Sequence, residues 1–391
     1  MIKLKNEKNV TNMVTGLISL VFFATNLSYL PILTTTGMTQ FVSYPVWGGL
    51  VLLLLIKRQG RFLPKRAVVE LFSLYICVSL LIAYSVISNK EYLNTMLIRC
   101  IIISMGVYII GMFFKIEGSI SGYENLLFKA FVVSVFILSV VVYFQFLKGQ
   151  NLESAIYSYS SKNETAFLDI TAIIILLFSN VFGEKKGLRL VFYLLGITFF
   201  TLIIVLMRCR SMLVCIPVVF AIFLFQSEVS KKLKGILIIA LIGMTVFLLL
   251  DKQMLDVFVY GILFGGRKTT SLDSISSGRV ARIGDAWRLF IENPWIGIGR
   301  SSVIDCFFVS ALTKYGMTVG TIMIFMAVYP LLWGRQHLNT NKDSQLFWVF
   351  LLCEIVYLIG GFFEENSPFG PGVRCYILWF LFGYLQTERI D

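Results

Sequence analysis

The sequence predicts an all-α polytopic membrane protein with about twelve transmembrane helices. Three observations carry this. Of 391 residues, 57% are hydrophobic and only 14% charged, a balance outside the range of water-soluble chains. Apolar runs near the roughly 20 residues needed to cross a bilayer recur along the chain, separated by short polar breaks. Basic residues gather in alternate breaks, as the positive-inside rule asks of a consistent topology. The chain reads as one integral membrane domain, 1–391, with a single long connection at 251–302.

The first span, 13–30, follows the basic residues Lys3, Lys5 and Lys8. No small-x-small cleavage site comes after it, so it is expected to remain as an uncleaved helix. Further spans are expected at 41–56, 67–87, 94–114, 128–147, 166–182, 188–207, 211–226, 235–250, 303–333, 346–363 and 373–386. The tenth is long enough to be tilted or broken. With the N-terminus inside, nineteen of the 34 basic residues fall on the cytoplasmic side, among them Lys57, Arg58, Arg61, Lys65 and Arg66, then Lys185, Lys186 and Arg189, then Lys231, Lys232 and Lys234. Both termini are then cytoplasmic. The seven cysteines show no CxxC spacing and read as small packing residues. Arg99 and Glu354 would lie roughly 10 to 14 Å below the outer ends of their spans, where a structural ion pair across helices is expected.

The outward breaks carry the exceptions: Lys90, Lys148, Lys162, Arg208, Arg210, Lys252, Arg267, Lys268, Arg279, Arg282, Arg288, Arg300, Lys314 and Arg374. Arginine dominates outside and lysine inside. The planar fork of a guanidinium suits phosphate and diphosphate groups. The plainer alternative is that a long loop crosses the membrane whatever its charge.

Loops of about fifty residues are usually functional or disordered, which directs attention to 251–302. Its first part, through Gly265, Gly266, Arg267, Lys268 and Thr269, is polar. Over 279–292, placing residues about 100° apart gathers Val280, Ile283, Trp287, Phe290 and Ile291 into one apolar arc. Ser276 or Ser277 is the expected N-cap, and Asn293-Pro294 the stop. The segment is therefore an expected amphipathic helix on the membrane surface, with Arg279 and Arg282 projecting side by side. A purely structural interfacial helix would give the same wheel.

The run Ser277-Gly278-Arg279, then Trp287, then Asn293-Pro294-Trp295-Ile296-Gly297-Ile298-Gly299 resembles the signature of the O-antigen polymerase and O-antigen ligase superfamily. Arg208-Cys209-Arg210-Ser211 resembles that family's basic-serine turn, and Ser161-Lys162-Asn163 its lysine-asparagine motif. The resemblance covers the whole architecture, but closely only about thirty residues. The ligase branch shows histidine-asparagine after the loop and a glycine eleven residues beyond the histidine; here Asp305-Cys306 stands in that place and Gly316 at that offset. The chain's only histidine, His337, falls in a cytoplasmic loop of the expected topology, which favours a polymerase over a ligase.

The resemblance implies a polysaccharide polymerase in the bacterial cytoplasmic membrane, its active site facing the periplasm or exterior. It would transfer a glycan from an undecaprenyl-diphosphate carrier to a sugar hydroxyl of another lipid-linked repeat unit, making O-antigen, capsule or exopolysaccharide. The leaving diphosphate needs electrostatic stabilisation, for which Arg210 and Arg279 are the first candidates. Arg208, Arg282, Arg288, Arg300, Lys162 and Asn163 are candidates for holding diphosphate. Asp305 is the expected general base of a direct, inverting displacement, with Glu364 and Glu365 as alternatives that would mark an acceptor site. Each of these carboxylates also reads as a solvated charge at a helix end. No cofactor and no metal is expected, the diphosphate bond already activating the donor. The expected partners are the undecaprenyl-diphosphate-linked oligosaccharide, membrane lipids and a chain-length regulator protein, with no nucleic acid. An O-antigen ligase-like glycosyltransferase is the first alternative. A lipid-linked oligosaccharide flippase or other transporter is the second, although no matching Gly/Pro-interrupted spans are evident in the two halves.

Overall fold

Backbone in lipid must satisfy its own hydrogen bonds, so long apolar runs fold as helices. The computed structural model describes residues 16–39, 45–50, 68–88, 90, 92–116, 124–147, 162–226, 235, 238–239, 278–299, 304–342, 344–370 and 372–386, and among them no strand occurs. The helices are α1 (Gly16–Leu27), α2 (Pro31–Thr35), α3 (Val68–Ser88), α4 (Met96–Ile116), α5 (Glu124–Leu147), α6 (Lys162–Phe178), α7 (Leu188–Leu206), α8 (Arg210–Phe225), α9 (Arg279–Glu292), α10 (Phe307–Asn341), α11 (Gln345–Gly361) and α12 (Tyr376–Gln386). Among the described residues, five helices are long and apolar enough to cross a membrane: Val69–Ser88, Met96–Phe114, Asn125–Leu147, Leu188–Leu206 and Phe307–Asn341. The chain is a helical membrane protein. Most of the expected second and ninth spans, the loop residues 251–277 and Arg300 lie outside the described residues.

α6 is the centre of the bundle. Every residue from Thr165 to Phe178 is buried, against α5, α7, α8 and α11. Such enclosure suits a helix with apolar residues on every side, and α6 adds only Thr165, Asp169 and Thr171 to them as buried polar side chains. It begins four residues before the expected span because Lys162, Asn163 and Glu164 join its first turn. It ends at Phe178, where the Ser179 hydroxyl donates to Ile175 O at 2.7 Å. The closest helix pair is α4 with α12. A Cβ built on Gly111 would strike the Phe380 carbonyl, and one on Gly383 the Tyr108 carbonyl, so the two backbones meet through their glycines.

The expected break in the tenth span is found, and its place is Gly316, at φ 69° and ψ −179°. Pro330 leaves the helix running. The helix also continues past the expected end, to Asn341, so His337 belongs to its last turns and not to a loop. Its ring stacks on Trp333 at 4.4 Å, with Nδ1 2.7 Å from the Trp333 carbonyl. The expected Arg99–Glu354 pair does not form. Arg99, in the first turn of α4, points to the exterior, whereas Glu354 is fully buried in mid-α11 and neither of its oxygens has a hydrogen bond.

Candidate functional site

The site begins with the way α9 is held. Its bounds, 279–292, coincide with those expected, and Asn293 is the C-cap. The N-cap is Gly278 at φ 76°, with no side-chain cap, in place of the expected serine. Val280, Trp287 and Ile291 stay exposed while Ala286 is buried, so the apolar arc faces away from the bundle. The residues after α9 bind to the break in α10. The Met317 amide, which an unbroken helix would direct to Thr313 O, donates to Pro294 O at 2.7 Å. Thr313 O instead accepts from Ile298 N at 2.9 Å, and Lys314 O from Gly299 N at 3.1 Å. Thr318 Oγ1 donates to Trp295 O at 2.8 Å and Thr313 Oγ1 to Ala286 O at 3.1 Å. This approach demands glycine on both sides. A Cβ on Gly297 would lie 2.5 Å from the Lys314 carbonyl carbon, and one on Gly316 would strike the Trp295 carbonyl.

The clamp aims the first turn of α9 at Asp305. Arg282 Nη2 lies 2.6 Å from Asp305 Oδ2, and Arg279 Nε lies 3.6 Å from the same oxygen. Beside them stand Lys162 and Asn163 at the start of α6 and the turn from α7 to α8. In that turn Arg208 has φ 52°, the one non-glycine positive φ among the described residues. Such a backbone is uncommon outside glycine and is kept only where surrounding structure enforces it. The turn is tied to α6 by the Cys209 thiol, which donates to Asn163 Oδ1 at 3.5 Å. Asn163 Nδ2 donates in turn to Glu364 Oε1 at 2.6 Å.

Glu364 and Glu365 sit on the 362–370 turn. Ser104 Oγ pins that turn through Phe369 O at 2.7 Å, Ser367 Oγ through Tyr357 O at 2.7 Å, and Trp379 Nε1 through Pro368 O at 3.0 Å. Glu365 Oε1 forms a contact ion pair with Lys314 and accepts from Ser310 Oγ at 3.1 Å. Glu364 Oε2 faces the fully buried Arg374 at 3.9 Å. Arg374 also donates from Nε to Gly370 O at 2.9 Å and lies 4.2 Å over the Phe167 ring.

Lysine and arginine thus outnumber carboxylates within one cluster. Lys162, Arg208, Arg210, Arg279, Arg282, Lys314 and Arg374 stand with Glu164, Asp305, Glu364 and Glu365. Burial holds the Lys162 ammonium below the usual lysine range, and repulsion from Arg210, Arg279 and Arg208 adds to this. Burial lifts the Glu364 carboxyl above the usual range, against the pull of Arg374. No family model and no curated protein sequence matches this chain. The site therefore has to be read from its own chemistry. A cluster with more cations than carboxylates, built from helix ends and backbone-pinned turns, is suited to a multiply charged anion.

A sharp consequence concerns Lys162. Below its lowered pKa the ammonium adds to anion attraction, and above it that attraction is lost. Retention of inorganic pyrophosphate by the detergent-purified protein is expected to weaken as pH rises through that point. Lys162→Arg should remove this limb, because a guanidinium keeps its charge. An identical pH profile in both proteins would refute it.

The structure brings together Lys162, Asn163, Arg208, Arg210, Arg279, Arg282, Asp305, Glu364 and Glu365. It does not bring in Arg288, which sits on the exposed side of α9 in a solvated pair with Asp285 at 3.4 Å. Such a pair contributes at most about 1 kcal/mol. Arg374 and Lys314 were visible in the sequence only as outward cations, and Glu164 carried no signal beyond its place after the lysine-asparagine pair. Their shared location is a product of packing.

Proposed function

We propose that this protein is a bacterial polysaccharide polymerase of the O-antigen polymerase and ligase type. It lies in the cytoplasmic membrane with about twelve spans, both termini inside and the cation-rich cluster facing the exterior. It transfers a glycan from undecaprenyl diphosphate to a sugar hydroxyl of a second lipid-linked repeat. The observation that carries this reading is the cluster of seven cationic side chains against four carboxylates at one set of helix ends. A departing diphosphate gains a negative charge, and prepositioned guanidinium groups stabilise that change more than the ground state.

The topology has support of its own. Residues at or next to each of the six expected outward connections contact one another: Tyr29 lies against Gly372, Tyr92 donates to Gly297 O, Cys209 to Asn163, and Asn163 to Glu364. The opposite helix ends meet separately, where Gln386 Nε2 donates to Glu70 Oε1 and the Asn180 amide to Gln345 Oε1. The exposed apolar arc of α9 suits a helix lying in the interface. A transporter also uses broken helices. Here, however, the break in α10 is occupied by backbone of 294–299.

The test is a gel of surface glycan from cells lacking the protein, supplied with wild type or Arg279→Ala. Wild type is expected to restore a ladder of chain lengths. Arg279→Ala should lower polymer yield about 100- to 1,000-fold, the usual cost of removing one donor to a developing anion, leaving single repeat units on the acceptor. Full-length chains stranded on the lipid carrier would instead identify a ligase.

A further inference from the structure

We propose that Glu364, not Asp305, accepts the proton of the attacking sugar hydroxyl, and that Asp305 instead positions Arg279 and Arg282; the assignment rests on the polymerase reading above. The distinction comes from which partner each carboxylate holds. Asp305 is in contact with a guanidinium at 2.6 Å and has a second at 3.6 Å on the same oxygen. Glu365 is in contact with the Lys314 ammonium. Glu364 differs from both. Its near partner is the neutral amide of Asn163 at 2.6 Å, and its cation, Arg374, stands at 3.9 Å, beyond hydrogen-bonding distance.

Asn163 therefore fixes the orientation of Glu364 through Oε1, while Oε2 has no hydrogen-bond donor among the described residues. The turn that carries it is pinned by α4, α11 and α12, so the carboxylate is held on a rigid support. The charged and titratable groups facing it are Arg374, Glu164 of α6, Arg279 of α9, Asp305 and the Cys209 thiol. Burial and the two neighbouring carboxylates raise its proton affinity toward the range where a general base works best, while Arg374 and Arg279 oppose this.

The step balances as a single displacement. The acceptor oxygen forms a bond to the donor's anomeric carbon as the carbon–oxygen bond to diphosphate breaks. The electron pair leaves with the polyprenyl diphosphate, whose new charge faces Arg279, Arg210 and Lys162. The hydroxyl proton passes to Glu364 and then to water. No oxidant, reductant or further reactant is needed. Asp305 touches no reacting atom in this scheme; it holds two guanidinium groups side by side on one oxygen, ready for phosphate oxygens.

The experiment uses full-length protein in proteoliposomes and tritium-labelled polyprenyl-diphosphate repeat units extracted from cells lacking the protein. Both donor retention and chain elongation are measured across pH. Glu364→Gln should lower elongation at least about 100-fold with donor retention within a few-fold of wild type. Glu364→Asp, which keeps the charge beside Arg374 but shortens its reach, should retain partial activity with a displaced acid limb. Asp305→Asn should raise KM for the donor and leave the acid limb in place. Elongation by Glu364→Gln at the wild-type rate with the acid limb intact overturns the assignment. So does loss of the acid limb in Asp305→Asn or Glu164→Gln instead. Wild-type protein that retains donor yet never elongates it overturns the polymerase reading itself, and the base with it.

Discussion

Arg374→Ala is expected to destabilise the protein by about 3–5 kcal/mol, the cost of removing one partner from a buried ion pair. Its side chain is fully buried and that of Glu364 is 17% exposed, so the carboxylate left behind has little water to replace the lost charge. The guanidinium also donates to Gly370 O and covers the Phe167 ring, and both contacts go with it. The measurement is equilibrium unfolding in detergent micelles; a change under about 1 kcal/mol, the scale of an exposed pair, would refute the prediction. Replacing Arg374 and Glu364 together by apolar residues of similar volume should recover much of the loss, since such a swap avoids desolvating two charges. Activity should not return, which separates the structural share of the pair from its chemical one.

Gly316→Ala is expected to have the second-largest effect, through two independent penalties. An alanine at φ 69° and ψ −179°, a region essentially reserved for glycine, costs about 1–3 kcal/mol in backbone strain. Its Cβ would also strike the Trp295 carbonyl, which cannot rotate away as a side chain could. The segment 294–299 would have to leave the break, giving up the hydrogen bonds from Ile298, Gly299, Met317 and Thr318. α9 would then lose its fixed register, and Arg279 and Arg282 their aim at Asp305. The expected outcome is a protein that still inserts in the membrane with a lower unfolding midpoint and, on the proposed polymerase reading, elongates glycan at least tenfold more slowly. Wild-type activity in Gly316→Ala would show that the clamp does not position the arginines.

Hydropathy made the helices legible, because an apolar run in lipid has few alternatives to an α-helix. Spans such as 67–87 and 188–207 agree with α3 and α7 to within a residue at each end. The wheel over 279–292 gave the bounds of α9 for a similar reason: its apolar arc and Asn293-Pro294 stop are local signals. The break at Gly316 was less accessible, since a glycine inside an apolar run is compatible with unbroken helix, as Gly320 shows. Only the arrival of Trp295 and Ile296 from another segment forces the positive φ. The Arg99–Glu354 pair failed because equal depth does not specify azimuth: the two side chains leave their helices in directions that do not meet. Likewise, nothing local distinguishes Arg282, drawn to Asp305, from Arg288, two turns further on and left in solvent. The roles of Glu364 and Glu365, adjacent in sequence, separate only when Asn163 and Lys314 arrive from different helices.

The enclosure of α6 has a bearing on biogenesis. It is about 26 Å long at 1.5 Å per residue, carries Asp169, Thr165 and Thr171 among its buried side chains, and faces protein on all sides. Ser139 Oγ of α5 donates to Asp169 Oδ1 at 2.6 Å, and Thr171 Oγ1 is 2.6 Å from the Tyr357 hydroxyl of α11, while Asp169 Oδ2 is buried without a hydrogen bond. Alone among acyl chains it would lose those partners and carry the full cost of an intramembrane carboxyl. The nine-residue link to α7 and their extensive contact make release from the translocon as a paired hairpin the economical route. α5, made just before, can then meet Asp169 early, whereas α11 can bring Tyr357 to Thr171 only after some 170 further residues have been synthesised. An enclosed helix that carries a carboxyl thus enters the membrane well before its α11 wall exists.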